Sequence, residues 1–303
     1  MKEEVVSVAS SQRPSRRLLA LQKLMLLATS RSGPVQDVDK TRKITRAMES
    51  CQRRVRGVQE STATVAGVPV RWFRPAGAGS GLIFHVHGGA FVAGSSLVAR
   101  AHSGLARRHS AELVSIDYRL APEHPFPAAL DDVWAVYSEV ARDRPTVIVG
   151  ESAGGGLAMS LVRRVLDSGG HAPKGLVAMF PWVDLTNSSE SYRRNQHRDL
   201  LSRAGLSRSA AAYAGDCDLK TPLLSPLYAS FTGFPPTLVT VGTHDCLLDD
   251  SRNVSARMRA AGVDVTLLEI AGGFHGFILL PTPESKEARR QISTFLGTAL
   301  RDR

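Results

Sequence analysis

Ser152 stands in the run Val147-Ile148-Val149-Gly150-Glu151-Ser152-Ala153-Gly154-Gly155-Gly156, where an apolar β-branched stretch ends in glycine, presents a serine and then turns helical. A serine on a sharp strand-to-helix turn has its hydroxyl pushed out of the sheet. Glycines at 150 and 154 remove side chains that would collide there. The position also lies at the positive end of the following helix, which favours negative charge developing at a reacting oxygen. Ser152 is therefore a candidate nucleophile. The G-x-S-x-G pattern alone arises by chance in about one chain in ten of this length, so it requires partners.

A serine hydroxyl is a poor nucleophile near neutral pH unless a base takes its proton and an acid holds that base in one tautomer. In a strand-helix-strand fold both partners follow the serine, each just beyond a strand. Four histidines lie after Ser152. His171 sits in a Gly-Gly-His-Ala-Pro turn, His197 in a stretch outside the strand pattern, and His244 beside the candidate acid. His275 follows the strand ending at Ile270 through Ala271-Gly272-Gly273-Phe274 and is the candidate base. Asp245, just beyond the strand 237–241, is the candidate acid. Asp249 and Asp250 compete with it but read better as carboxylates capping the next helix, and Asp184 is an outside alternative. The chemistry further needs backbone N–H groups aimed at an oxyanion. His87-Gly88-Gly89-Ala90 directly follows a strand, and Ala153 follows the nucleophile.

The elements that must position these residues alternate. Residues 61–65 and 68–73 read as an antiparallel hairpin. Strands at 82–87, 113–116, 146–149, 176–180, 237–241 and 263–270 are separated by helices at about 100–109, 128–142, after 152, 251–261 and 284–300. Alternation of this kind predicts an α/β fold with a mostly parallel sheet covered by helices on both faces. Two pieces fall outside it. Residues 1–50 read as helical, with a break at 30–34 and an amphipathic helix over 18–28. Residues 185–215 read as an insertion. Both are expected to form a helical cap over a core of 51–184 and 216–303, at the strand ends where such sheets bind ligands.

Composition narrows the alternatives. A hydrophobic content of 43% supports a packed core rather than disorder. The net charge of +10 comes from arginine pairs scattered along the chain, with no basic cluster interleaved with aromatics, so neither a nucleic-acid partner nor membrane insertion is expected. Three cysteines, Cys51, Cys217 and Cys246, are too few and too irregularly spaced for a disulfide framework or a metal site, which fits a reducing, cytoplasmic setting. The apolar run at 18–28 is too short to span a bilayer.

Five ordered motifs make the chain resemble the hormone-sensitive-lipase group of α/β-hydrolases, also called bacterial family IV esterases. They are His87-Gly88-Gly89-Ala90, Asp117-Tyr118-Arg119-Leu120-Ala121-Pro122-Glu123, Gly150-Glu151-Ser152-Ala153-Gly154-Gly155, Asp245-Cys246-Leu247-Leu248-Asp249 and Phe274-His275-Gly276-Phe277. The likeness runs from about residue 60 to the C-terminus. It implies an eight-stranded sheet with a helical cap, and hydrolysis of carboxylic esters without a cofactor or metal. It assigns Ser152 as nucleophile, Asp245 as acid, His275 as base and the N–H groups of Gly88, Gly89 and Ala153 as oxyanion hole. It also makes the side chain of His87 a support for the loop. Relatives are often monomers or dimers. Two departures stand out. Ala90 replaces a frequent third glycine, its methyl disfavouring positive φ and narrowing the alcohol side of the pocket, and Glu151 replaces a frequent aspartate.

Several neighbours admit two readings. Phe91, Leu247, Phe274 and Phe277 flank the candidate positions and fit either an acyl pocket, together with Ala90, or the core. His85 reads as a satisfied core histidine, Cys246 as a packed thiol, and 117–125 as a rigid turn tied by hydrogen bonds. The expected activity is hydrolysis of small, short-chain esters through an acyl-enzyme. A lactone, an N-acetyl amide or a longer lipid ester is the alternative substrate, and a non-catalytic ligand-binding module is the rival from another class.

Overall fold

The apolar runs form the middle of one eight-stranded sheet in the computed structural model, which describes residues 13–32 and 38–301. The strands are β1 (Val58–Val65), β2 (Val68–Pro75), β3 (Leu82–Val86), β4 (Glu112–Ile116), β5 (Thr146–Glu151), β6 (Gly175–Met179), β7 (Thr237–Gly242) and β8 (Val265–Ile270). Their spatial order is β1-β2-β4-β3-β5-β6-β7-β8. The β1–β2 and β2–β4 pairs are antiparallel and the rest are parallel. Every residue of β3, β5, β6 and β7 is buried, as a parallel sheet covered on both faces requires. After β4 the chain crosses to the other side of β3 to lay down β5. The order therefore reverses at β3 and β5, and a crevice opens beyond their carboxyl ends.

Nine helices are seen among the described residues: α1 (Arg16–Ser32), α2 (Val38–Ser50), α3 (Ser103–Arg108), α4 (Ala128–Val140), α5 (Ala153–Asp167), α6 (Ser191–Arg194), α7 (Arg203–Ala214), α8 (Leu248–Ala260) and α9 (Pro283–Ala299). Alternate residues of β5 feed two cores. Ile148 packs with residues of α4, α5 and α8, whereas Val147 and Val149 pack with residues of α3 and α9. The helix expected at 100–109 is divided into a 3-10 turn at Ser96–Ala101 and α3, because His102 turns inward to a buried carboxylate. The first strand begins at Val58, three residues earlier than its alternating pattern suggested. Helix α1 continues to Ser32. Of the break expected at 30–34, residues 33 and 34 lie outside the described residues, as do residues 1–12 of the N-terminal segment.

The N-terminal helices are held to the sheet body by specific bonds. The Ser15 N–H and hydroxyl donate to Glu284 at 2.6 and 3.0 Å, and the Gln22 side-chain amide donates to the Arg198 carbonyl at 2.5 Å. From α2, Arg42 pairs with Glu123 and donates to the Val92 and Ala121 carbonyls. Glu49 accepts from the Ser95 N–H and hydroxyl. The 117–125 segment is tied as expected for a rigid turn: Asp117 accepts from Ser96, Arg119 pairs with Asp132, and Glu123 pairs with Arg42.

Helix α5 presses so closely on the end of β3 that a methyl on Gly154 would lie 2.3 Å from the carbonyl oxygens of both Val86 and His87. Alanine is normally favoured over glycine inside a helix by about 1 kcal/mol. Here the clash reverses the sign, since overpacking costs roughly 1–3 kcal/mol. With a central net cost of about 1 kcal/mol, Gly154→Ala is expected to lower the thermal midpoint by about 2–4 °C, measured by calorimetric or circular-dichroism melting. A raised midpoint would contradict this packing.

Candidate active site

Ser152 is the hinge between β5 and α5, with φ 56° and ψ −125°, a conformation that few residues other than glycine adopt. Hydrogen bonds on both sides hold it there. Its N–H donates to the Met179 carbonyl at 2.9 Å, and its carbonyl accepts from the N–H groups of Gly155 and Trp182 at 2.9 and 3.0 Å. The strained backbone presents the hydroxyl to the crevice rather than to the sheet.

His275 and Asp245 converge on that hydroxyl from the ends of β8 and β7. Ser152 Oγ lies 2.9 Å from His275 Nε2, and His275 Nδ1 lies 3.1 Å from Asp245 Oδ2. Asp245 is fully buried, and its Oδ1 accepts from the Leu247 N–H at 2.8 Å. Burial pulls the imidazole down. The Asp245 carboxylate, its hydrogen bond, and the charges of Asp199 and Glu151 outweigh this, so the His275 pKa is raised. Phe180 meets the imidazole edge to face at 4.8 Å.

The competing residues are occupied elsewhere. Asp250 accepts from the Val183 and Asp184 N–H groups and the Tyr192 hydroxyl, and its burial beside Asp184 pushes it up to about 8. Asp249 accepts from the Ser191 N–H, and Asp184 accepts from Thr186, Ser188 and Tyr228. The His244 ring lies against the Gln22 amide.

The glycine loop after β3 lies over Ser152. A methyl on Gly88 would come within 3.1 Å of Ser152 Cβ. Gly88, Gly89 and Ala90 line the cleft with Ser152, while Ala153 opens α5 immediately behind it. Ala90 takes a positive φ of 54° despite its methyl, and Phe91 follows at 64°. Phe91 is anchored by stacking on Tyr213 at 3.8 Å and leaning on Trp182 at 5.8 Å. His87 stacks on Tyr118 at 4.1 Å and its Nδ1 reaches the Gly88 carbonyl at 2.7 Å, which fixes the loop. Of the residues that fitted either pocket or core, Ala90 lines the cleft. Phe91, Leu247, Phe274 and Phe277 are buried in the two cores and are absent from the cleft wall.

Glu151 is buried at the cleft wall and pairs with His102 Nε2 at 2.9 Å. Burial raises its carboxyl, but the His102 hydrogen bond and the charges of His102, His85 and His87 hold it down at about 2. The expectation that His85 is satisfied holds for one nitrogen. Nδ1 bonds the Ser115 hydroxyl at 2.9 Å, whereas buried Nε2 has no hydrogen-bond partner among the described residues, 3.8 Å from Glu151 Oε1. Two groups, His85-His102-Glu151 and Asp199-Asp245-His275, have ligand-type atoms close enough together for a small cation. In each, a histidine–carboxylate hydrogen bond already uses part of the donor set.

Helices α1 and α2 and the 196–212 stretch complete a cleft of about 1480 Å³ above Ser152, with Leu26, Met48, Leu201, Leu206 and Leu279 among its apolar walls. Sequence reasoning missed Asp199, Asn195, His102 and Glu49. Asp199 accepts from the His275 N–H, and the Asn195 amide donates to the Asp245 and Thr243 carbonyls. The only local signal was a lone carboxylate beside an arginine in Arg198-Asp199-Leu200. Cys246 is a packed thiol as expected, pushed well up by burial and by the Asp199 and Asp245 carboxylates. Among the described residues no helix is long and apolar enough to cross a membrane.

The chain matches the model of a family described as having the alpha/beta hydrolase fold over residues 83–279. It is 37% identical over 248 residues to an esterase of Acinetobacter venetianus, covering 78% of this chain and 82% of that one. It is 33% identical over 244 residues to an acetyl-hydrolase of Streptomyces hygroscopicus, with the same coverage of 78% and 82%. Among solved structures, a hormone-sensitive lipase from a metagenome library superimposes with a TM-score of 0.90 at 32% identity, covering 95% of this chain and 100% of that one. The chain thus belongs to the α/β-hydrolase family, among the hormone-sensitive-lipase-like carboxylic ester hydrolases.

Proposed function

We propose that this protein hydrolyses small, short-chain carboxylic esters through an acyl-enzyme on Ser152. The observation that carries the proposal is the hydrogen-bonded chain of Ser152 Oγ, the His275 ring and Asp245, with spacings of 2.9 and 3.1 Å. Ser152 Oγ attacks the ester carbonyl as His275 Nε2 takes its proton. Asp245 steadies the resulting imidazolium. The carbonyl electrons move onto oxygen, which the N–H groups of Gly88, Gly89 and Ala153 receive, each such donor being worth about 3–4 kcal/mol. The imidazolium then protonates the departing alcohol. Water, deprotonated by the same histidine, releases the acid and restores Ser152. Helices α1 and α2 and the 185–215 insertion act as the cap.

The acetyl-hydrolase name of one relative favours a short acyl group. The cleft favours a second reading. Its volume of about 1480 Å³ exceeds the 300–1,000 Å³ typical of small-molecule sites, leaving room for a longer acyl chain or a bulky alcohol.

A p-nitrophenyl ester series from acetyl to palmitoyl, with one lactone and one N-acetyl amide added, separates these readings. The largest kcat/KM is expected at acetyl or butyryl, and a palmitoyl optimum would overturn the short-chain assignment. Ser152→Ala is expected to lose at least about 10³-fold in kcat on the best ester while keeping its melting temperature.

The base must be neutral to accept the serine proton, and the pKa of His275 is raised. kcat/KM is therefore expected to fall on acidification with a midpoint above about 6.5, the ordinary histidine value. A pH–rate profile with its acid limb below that value would contradict the arrangement.

A further inference from the structure

We infer that Asp199 is a positioning residue for the catalytic pair, its carboxylate clamping together the two loops that carry His275 and Asp245. The inference rests on the triad reading of Ser152, His275 and Asp245. Asp199 lies between α6 and α7, outside the strand-helix alternation, and is 3% exposed. Its Oδ1 accepts from the backbone N–H of His275 at 2.8 Å, and its Oδ2 accepts from the N–H of Cys246, next to Asp245, at 2.6 Å. One carboxylate therefore bridges the working end of the loop after β8 to that of the loop after β7. Its own orientation is set locally, because the Leu200 N–H also donates to Oδ1 at 2.7 Å.

The chemistry of the bridge calls for a carboxylate. Three N–H donors converge on one side chain, two on Oδ1 and one on Oδ2, and the His275 and Cys246 donors approach different oxygens, so both must be acceptors. An amide would turn its NH₂ toward one of them. Burying a carboxylate beside Asp245 is unfavourable, and burial and that neighbouring charge push Asp199 up to about 7, against the pull of His275 and the two N–H bonds. A side chain needed only to fill space would not carry this cost. The Asp199 charge also favours the protonated His275 ring, in the same direction as the larger effect of Asp245 and ahead of Glu151. The Cys246 thiol also lies against it, and Arg198 adjoins it on its own segment. Clamp and charge act on the same step, in which His275 receives the serine proton. A reacting pair displaced by about 1 Å can lose about 10²-fold in rate.

Asp199→Asn keeps the volume and one acceptor, and Asp199→Ala removes both. Each is expected to lower kcat by roughly tenfold or more while KM stays within about twofold. The acid limb of the Asp199→Asn kcat/KM profile is expected to move to lower pH, since a charge that favours protonated His275 is gone. Retention of kcat within about twofold in both variants would overturn the role. So would a kcat loss with an unmoved acid limb, which is what a purely structural residue would give. The unmutated protein supplies a readout that needs no variant. The backbone amide protons of His275 and Cys246 should shift together in NMR spectra as Asp199 ionises, and amides that titrate independently would overturn the clamp. Full activity in Ser152→Ala would remove the triad reading itself, an outcome separate from any result at Asp199.

Discussion

The structure depends on holding one non-glycine residue, Ser152, in a backbone conformation it does not prefer. That conformation turns β5 into α5 within a single residue and leaves the hydroxyl standing above the sheet. It survives because its surroundings over-determine it: β6 takes its N–H, the residues after β6 take its carbonyl, and α5 is wedged against the end of β3. The same wedge brings the glycine loop over Ser152. Ser152 and the loop thus meet at the place where the strand order reverses, and a single packing contact positions both.

Around this centre the molecule buries several carboxylates and gives each its own donors. Glu151 has His102, Glu49 has Ser95, Asp250 has two backbone N–H groups and Tyr192, and Asp199 has two loop N–H groups. Only Asp245 reaches the His275 ring among the aspartates that followed Ser152 as candidates. Buried charge is tolerated because every such group is hydrogen-bonded. The basic surplus of the chain sits mainly on exposed arginines, in keeping with a solvated surface.

The segments outside the sheet are built into the site rather than laid over it. Gln22 of α1 touches both Arg198 and His244, while Asn195 and Asp199 bond the loops that carry Asp245 and His275. The walls of the cleft and the placement of Asp245 and His275 therefore come from the same segments. A change in this region that alters the cleft also bears on the alignment of His275.

Local sequence alone determined the parallel sheet, the serine turn and the glycine loop, and it narrowed the partner of His275 to Asp245 and three competing aspartates. Buried strands leave continuous apolar runs, a strained turn demands glycine, and chain order restricts which acid and histidine face a serine. Tertiary structure alone decided what depends on side chains distant in sequence. It placed Phe91, Leu247, Phe274 and Phe277 in the cores, since aromatic and aliphatic residues suit core and pocket equally. It let Ala90 accept positive φ, because stacking of Phe91 on Tyr213 outweighs the cost of a methyl. It broke a helix at His102 to reach Glu151, 49 positions away, and it brought Asp199 across 76 positions to His275. A hydrogen bond of that separation leaves no periodicity behind, so no pattern in the chain announces it.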